Sequence, residues 1–141
     1  MSIRAVLLPL FVEVALTFGL LLWLAVLRVT GIRSGVVEAS QVSLRQPNWP
    51  KRTLQINNSV SNQFELPMLF YVLTILAIVT HHADILFVVL AWIFVLSRLA
   101  HAYVHTTSNN VERRGPLFGL GLMTLLVAWA IFAVRILLGL P

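Results

Sequence analysis

Four long apolar stretches set the terms for this chain: residues 5–27, about 64–80, 85–104 and 116–140. Each is close to the roughly 20 residues that an α-helix needs to cross a hydrocarbon core about 30 Å thick. Composition agrees with the pattern. Hydrophobic residues make up 59% of the sequence and charged residues 11%, whereas a soluble domain carries about 25% charged residues. With a mean hydropathy of +0.91, the chain lacks the polar surface to cover itself in water, and a large soluble catalytic domain is excluded. The expected fold is an all-α membrane protein, a bundle of four transmembrane helices in one domain over residues 1–141. Its spans are placed at about 5–27, 60–80, 85–104 and 116–139. The first run is too long for the 7–15-residue core of a signal peptide and is read as a retained helix.

The formal charge of +5 does not form a stripe. The basic residues flank the apolar runs, which points to membrane topology and away from nucleic acid. The segment between the first two spans carries Arg33, Arg45, Lys51 and Arg52, and the segment before the fourth carries Arg113 and Arg114. The link at residues 81–84 has no Lys or Arg. Positive-inside reasoning places both basic loops in the cytoplasm and both termini outside, six loop charges outweighing Arg4. In a bacterium the membrane would be the inner one. Trp49, between Pro47 and Pro50, is a candidate headgroup anchor. No further ligand accompanies His81, His82 and Asp84, and no metal site is expected. Gly115 and Gly119 form a small-xxx-small spacing suited to close helix approach.

Ionisable residues within the spans carry the functional information, because hydrocarbon makes each one costly. Counted from the short link at 1.5 Å per residue, Glu65 and Arg98 both lie about 20–22 Å from the outer end. They are expected to pair across the hairpin of spans two and three. Asn58, Asn62 and Glu65 follow i, i+4, i+7 spacing, and Arg98, His101 and His105 follow i, i+3, i+7, so each set shares one helix face. If the faces meet, they enclose a polar cavity open to the cytoplasm and suited to a small zwitterionic or anionic ligand. Glu13 lies about 12 Å from the outer end and Arg135 about 7 Å. That depth separates Glu13 from Arg98 and leaves Arg135 as its candidate partner. Cysteine is absent, so any thiol chemistry must arrive with a ligand.

The second span, with NQFELPMLFYVL, and the third, with SRLAHAYVH followed by Arg113 and Arg114, resemble the MAPEG superfamily, membrane-associated proteins in eicosanoid and glutathione metabolism. The resemblance covers essentially the whole chain in span layout and is most specific over residues 55–114. It implies a four-helix bundle assembled as a homotrimer, with a glutathione site between protomers in the cytoplasmic half of the membrane. Asn62 and Glu65 match the family's helix-two pattern in type and spacing, and Pro67 comes one position early. Asn58 stands where the family has an arginine, and Arg98 matches its helix-three arginine. His101 and His105 occupy positions that are often tyrosine. Near the end of helix three, where the family's thiolate-promoting arginine is expected, stands Thr107, with Arg113 and Arg114 beyond it. The resemblance thus implies glutathione as co-substrate, held by Asn58, Asn62, Glu65, Arg98, His101 and His105, with Arg113, Arg114 or an arginine of the first loop as activator. A lipophilic electrophile or peroxide would be the second substrate, reaching the site from membrane lipid. Two other functions suit four spans. One is a small multidrug-resistance-type exporter using Glu13, which the long first loop and Arg98 disfavour; the other is a binding or scaffold member without turnover.

Overall fold

The computed structural model describes residues 1–141 and is entirely helical. Helix α1 runs Ile3–Arg33, α2 Lys51–Asn62, α3 Leu66–Val79, α4 Ile85–Thr106 and α5 Val111–Leu138. A short 3-10 turn at Ala39–Gln41 lies in the first loop. Four units are long and apolar enough to cross a membrane: α1, α2 with α3 taken together, α4 and α5. The protein is therefore a multi-pass integral membrane protein. Side chains such as Leu22, Val26, Ile75, Val79, Leu126 and Leu137 are exposed, as expected where lipid is the solvent.

Local chemistry accounts for the helix ends. The Ser2 hydroxyl accepts from the Ala5 N–H, the Asp84 carboxylate from Phe87 N–H, and the Asn110 amide oxygen from Glu112 and Arg113 N–H. Each satisfies donors that the first turn leaves free. α3 closes with a Schellman motif in which His82 N–H donates to Ala77 C=O at 2.8 Å and His81 N–H to Ile78 C=O at 3.2 Å. The motif needs a left-handed residue, and His81 supplies it with φ 60°. The chain can therefore reverse within five residues and start α4.

Pro67 divides the second span. A proline in a helix has no N–H to donate to the carbonyl four residues earlier, and its ring presses on that carbonyl. Here that residue is Gln63, and the helix is interrupted at residues 63–65. Asn58 and Asn62 share α2, as expected, but Glu65 lies beyond the break at the N-cap of α3, φ −99° and ψ −102°. It is not the third member of one continuous helical face.

Two apolar clusters hold the bundle together. Towards the Thr80–Asp84 link, Val6 of α1 packs with Phe70, Leu73 and Ala77 of α3, Phe87, Ala91, Phe94 and Val95 of α4, and Leu125 of α5. Towards the two longer loops, Leu20 and Leu24 of α1 pack with Ile56 and Val60 of α2 and Ala102 of α4. On each of these three helical tracks a buried polar residue lies between the clusters: Glu13, Gln63 and Arg98. They form a polar layer across the bundle interior.

α4 and α5 pack most extensively, and Gly121 permits it. A Cβ there would stand 2.9 Å from Ser97 Oγ and 3.6 Å from Arg98 Cδ. Gly115 and Gly119, the pair singled out by spacing, face open space within one chain. The close approach falls at the one glycine of α5 outside that pattern's register. Gly121→Ala is expected to lower stability by about 1–3 kcal/mol through overpacking, because Ser97 Oγ is also held by the Phe94 carbonyl at 2.6 Å. Gly119→Ala should leave thermal unfolding in detergent unchanged or slightly raised, since alanine is the better helix former.

At the link end, Arg135 donates to Asp84 at 2.7 Å and does not pair with Glu13, because Asp84 lies on the neighbouring helix end at its own level. Burial works against the Asp84 charge, but the Phe87 N–H and the Arg135 guanidinium more than offset it and hold the carboxyl below its ordinary 3.8. A carboxyl lowered on folding stabilises the folded state at neutral pH, and that contribution fades as pH falls through about 4 towards the folded value. Asp84→Asn keeps the cap and removes the charge. It should therefore reduce stability at pH 7 by up to about 1 kcal/mol, as is usual for a partly exposed pair. Melting curves of variant and wild type should converge under acid conditions.

Candidate functional site

At the loop-bearing end of the bundle, α2, the 63–65 break, α4 and α5 enclose a cavity of about 390 Å³. That lies within the range of about 300–1,000 Å³ usual for small-ligand sites. Asn58 and Asn62 form one wall and His101 and His105 another; Glu65 stands at the break. α5 completes it with Val111, Arg114, Gly115 and Phe118. Five of the residues singled out by spacing thus line one space, together with Arg114. Arg113 is exposed and does not line it.

The walls are internally braced. The Asn62 amide lies 3.4 Å from His101 Nδ1, His101 and His105 stand edge-to-face with centroids 5.5 Å apart, and His101 faces the Phe118 ring at 5.9 Å. Arg114 is oriented by donating to Asn109 Oδ1 at 2.8 Å. Glu65 is solvent-exposed, and its carboxylate makes no ion pair. The chemistry presented is one carboxylate, two side-chain amides, two imidazoles and one guanidinium around a partly open space.

Arg98 sits behind this wall. It is completely buried and donates from Nη2 to the Asn62 carbonyl at 3.4 Å, with Phe118 5.8 Å from its guanidinium carbon. Nε and Nη1 have no hydrogen-bond partner within the chain. The expected ion pair with Glu65 is not formed: the break turns Glu65 outward to the cavity, and Arg98 reaches inward to the polar layer. Glu13 and Arg98 make no direct ion pair either, Glu13 standing about 15 Å along α1 from Ile3 and Arg98 about 20 Å along α4 from Ile85.

Other contributors escaped the sequence. Arg28 of α1 donates to Asn57 Oδ1 at 2.7 Å and lies 5.5 Å from the Trp49 ring. Trp49 is thereby turned against α1 and Gly31. With Arg45, Gln46 and Ser61 these residues border a second, polar cavity of about 570 Å³ that shares Asn58 with the first. The apolar run ending at residue 27 hid Arg28 as a mere boundary. At the start of α2, Arg52 donates to the Thr106 carbonyl and to Gln55 Oε1, and Gln55 Nε2 donates to the carbonyls of His105 at 2.8 Å and Thr107 at 3.1 Å. The last turn of α4 leaves those carbonyls free, and a cation is favoured there. This clasp fixes His105 against the α2 wall. Arg52→Ala or Gln55→Ala should each lower stability by about 1–3 kcal/mol, with the double variant less than additive because they share partners. Amide hydrogen exchange over residues 103–109 should quicken in both.

Comparison with known proteins bears on this geometry. A sequence model described as the MAPEG family matches residues 6–134, nearly the whole chain. No individually curated protein and no solved structure matches it significantly. The match takes in all five helices, the break at Pro67 and every residue on the cavity wall, and the protein belongs to the MAPEG family.

Proposed function

We propose that the cavity between α2, α4 and α5 binds glutathione and that the protein acts as a glutathione-dependent transferase or peroxidase on lipophilic electrophiles or peroxides. The MAPEG family generally uses glutathione. What carries the assignment to this chain is the polar set on the wall: one carboxylate, one guanidinium, and amides and imidazoles that can each donate and accept. Glutathione has an ammonium, two carboxylates and two amides. Glu65 would take the ammonium, Arg114 a carboxylate, and Asn58, Asn62 and the imidazoles the remaining polar atoms. Bound glutathione would supply the thiol, which a chain without cysteine cannot.

The chain's own contribution is electrostatic and positional. Arg114, half-buried on the cavity wall, is better placed than Arg113 to favour a thiolate, since a nearby cation lowers a thiol pKa. Phe118 and the apolar flanks of α5 would admit a second substrate laterally from lipid. The family resemblance further supports a homotrimer, and the basic loops support a cytoplasmic loop-bearing end with both termini outside. The exporter alternative needs Glu13 on an accessible wall, whereas its carboxylate is wholly buried.

Titration calorimetry of the detergent-solubilised protein tests the assignment. Glutathione should bind to wild type, and Glu65→Gln and Arg114→Gln should each weaken binding by about tenfold or more, the usual effect of losing a charge-assisted hydrogen bond. Conjugation of an aromatic electrophile should fall further in Arg114→Gln than in Arg113→Gln. A wild type that does not bind glutathione at millimolar concentration would overturn the proposal and favour a scaffold role.

A further inference from the structure

The chain has five acidic residues. Asp84 is committed to Arg135 at the link end, and Glu38 and Glu112 are exposed near the loops. Glu65 and Glu13 alone are left to balance Arg98. Glu65 faces the open cavity, where solvent screens it. Glu13 and Arg98 are both completely buried, and both lie on their helices between the same two apolar clusters. Neither Glu13 carboxylate oxygen has a hydrogen-bond partner within the chain, nor do Arg98 Nε and Nη1. The two make no direct ion pair, but α1 and α4 pack against one another along the bundle.

We propose that Glu13 is the internal counter-ion of Arg98: it holds the guanidinium in the polar layer and cancels the positive charge that Arg98 would otherwise project into the cavity. Arg98 in turn touches the Asn62 backbone and lies beneath Phe118, both on the cavity wall. Glu13 therefore acts at one remove from any ligand, as a positioning residue that also sets charge preference. Arg114 remains as the one cationic group on the wall, and Glu65 as the only anionic one. A cavity balanced in this way discriminates weakly between a zwitterionic peptide and one of greater negative charge. Without Glu13, the uncompensated guanidinium would favour the more anionic ligand.

The charge-preference part rests on the glutathione assignment, and the experiment separates the two. Thermal unfolding of full-length protein in nanodiscs is measured for Glu13→Gln, Arg98→Gln and the double variant. Each single variant leaves one buried charge without its partner and should melt lower by on the order of 10 °C. The double variant should recover much of that loss; a single variant that fails to fold while the double folds is the same result in stronger form. Additive losses would overturn the counter-ion assignment. Calorimetry then compares glutathione with its glycine monoethyl ester, which has one negative charge fewer. Glu13→Gln should raise the preference for the free acid by roughly fivefold to tenfold, and Glu13→Asp should restore the wild-type ratio. Affinities that fall equally for both ligands would leave Glu13 a purely structural residue and overturn the charge-preference role. Wild type binding neither ligand would overturn the glutathione assignment alone, the unfolding cycle still deciding whether Glu13 balances Arg98.

Discussion

A guanidinium held entirely out of water in the middle of a membrane bundle is the constraint around which this structure is arranged. Arg98 has no exposed surface, and an isolated buried ion carries a desolvation penalty of several kcal/mol even after relaxation. The fold answers by concentrating polarity at one level. Glu13 from α1, Gln63 from the end of α2 and Arg98 from α4 lie between apolar clusters that seal the interior above and below. Gly121 is part of the same answer. It lets α5 close over the Arg98 stem and brings Phe118 across the guanidinium. Enlarging that glycine therefore disturbs the polar layer as well as a helix crossing.

The break in the second span connects this layer to the exterior. Were α2 and α3 one helix, Glu65 would follow Asn58 and Asn62 on a single face and meet Arg98 directly. Pro67 forbids this, and the interruption at residues 63–65 leaves Gln63 facing the interior and Glu65 facing the cavity. One acid is thus given to the open wall and another, on a different helix, to the interior. Their separation allows the cavity to present an accessible carboxylate without stripping Arg98 of its counter-charge. The clasp of Arg52 and Gln55 on the last carbonyls of α4 fixes the other side of the opening.

Much of this was legible in the sequence, for reasons that also define where legibility stops. Apolar runs bounded by basic loops identify spans because hydrocarbon leaves the backbone few alternatives to a helix. Spacings such as 58–62 and 98–101–105 survive because helical periodicity is local. Pairing between helices is not local. Equal depth recommended Glu65 for Arg98, but depth says nothing about rotation, and the proline that rotated Glu65 away lay two residues downstream in plain view. Depth likewise recommended Arg135 for Glu13, but Asp84 stands at the helix end beside Arg135 and takes it. Gly115 and Gly119 had the spacing associated with close packing, yet what matters is which glycine meets a side chain across the crossing, and that is set by the register of α5 on α4. Arg52 and Gln55 carry no motif; their role exists only once the first loop has folded back onto α4.

The departures from the MAPEG pattern make sense together when charge is followed around the cavity. Where the resemblance puts an arginine on helix two, this chain has Asn58, a neutral amide on the cavity wall. Arg114, from the first turn of α5, stands on the opposite wall and supplies a cation. The resemblance often puts tyrosines about where His101 and His105 stand. The exchange keeps flat rings that stack edge-to-face and against Phe118, while replacing a hydroxyl at the ring tip by ring nitrogens, one of which meets the Asn62 amide. Behind these rings Arg98 touches the Asn62 backbone and lies beneath Phe118, so its charge is felt at the cavity wall and a compensating carboxylate in the interior bears on whatever binds there.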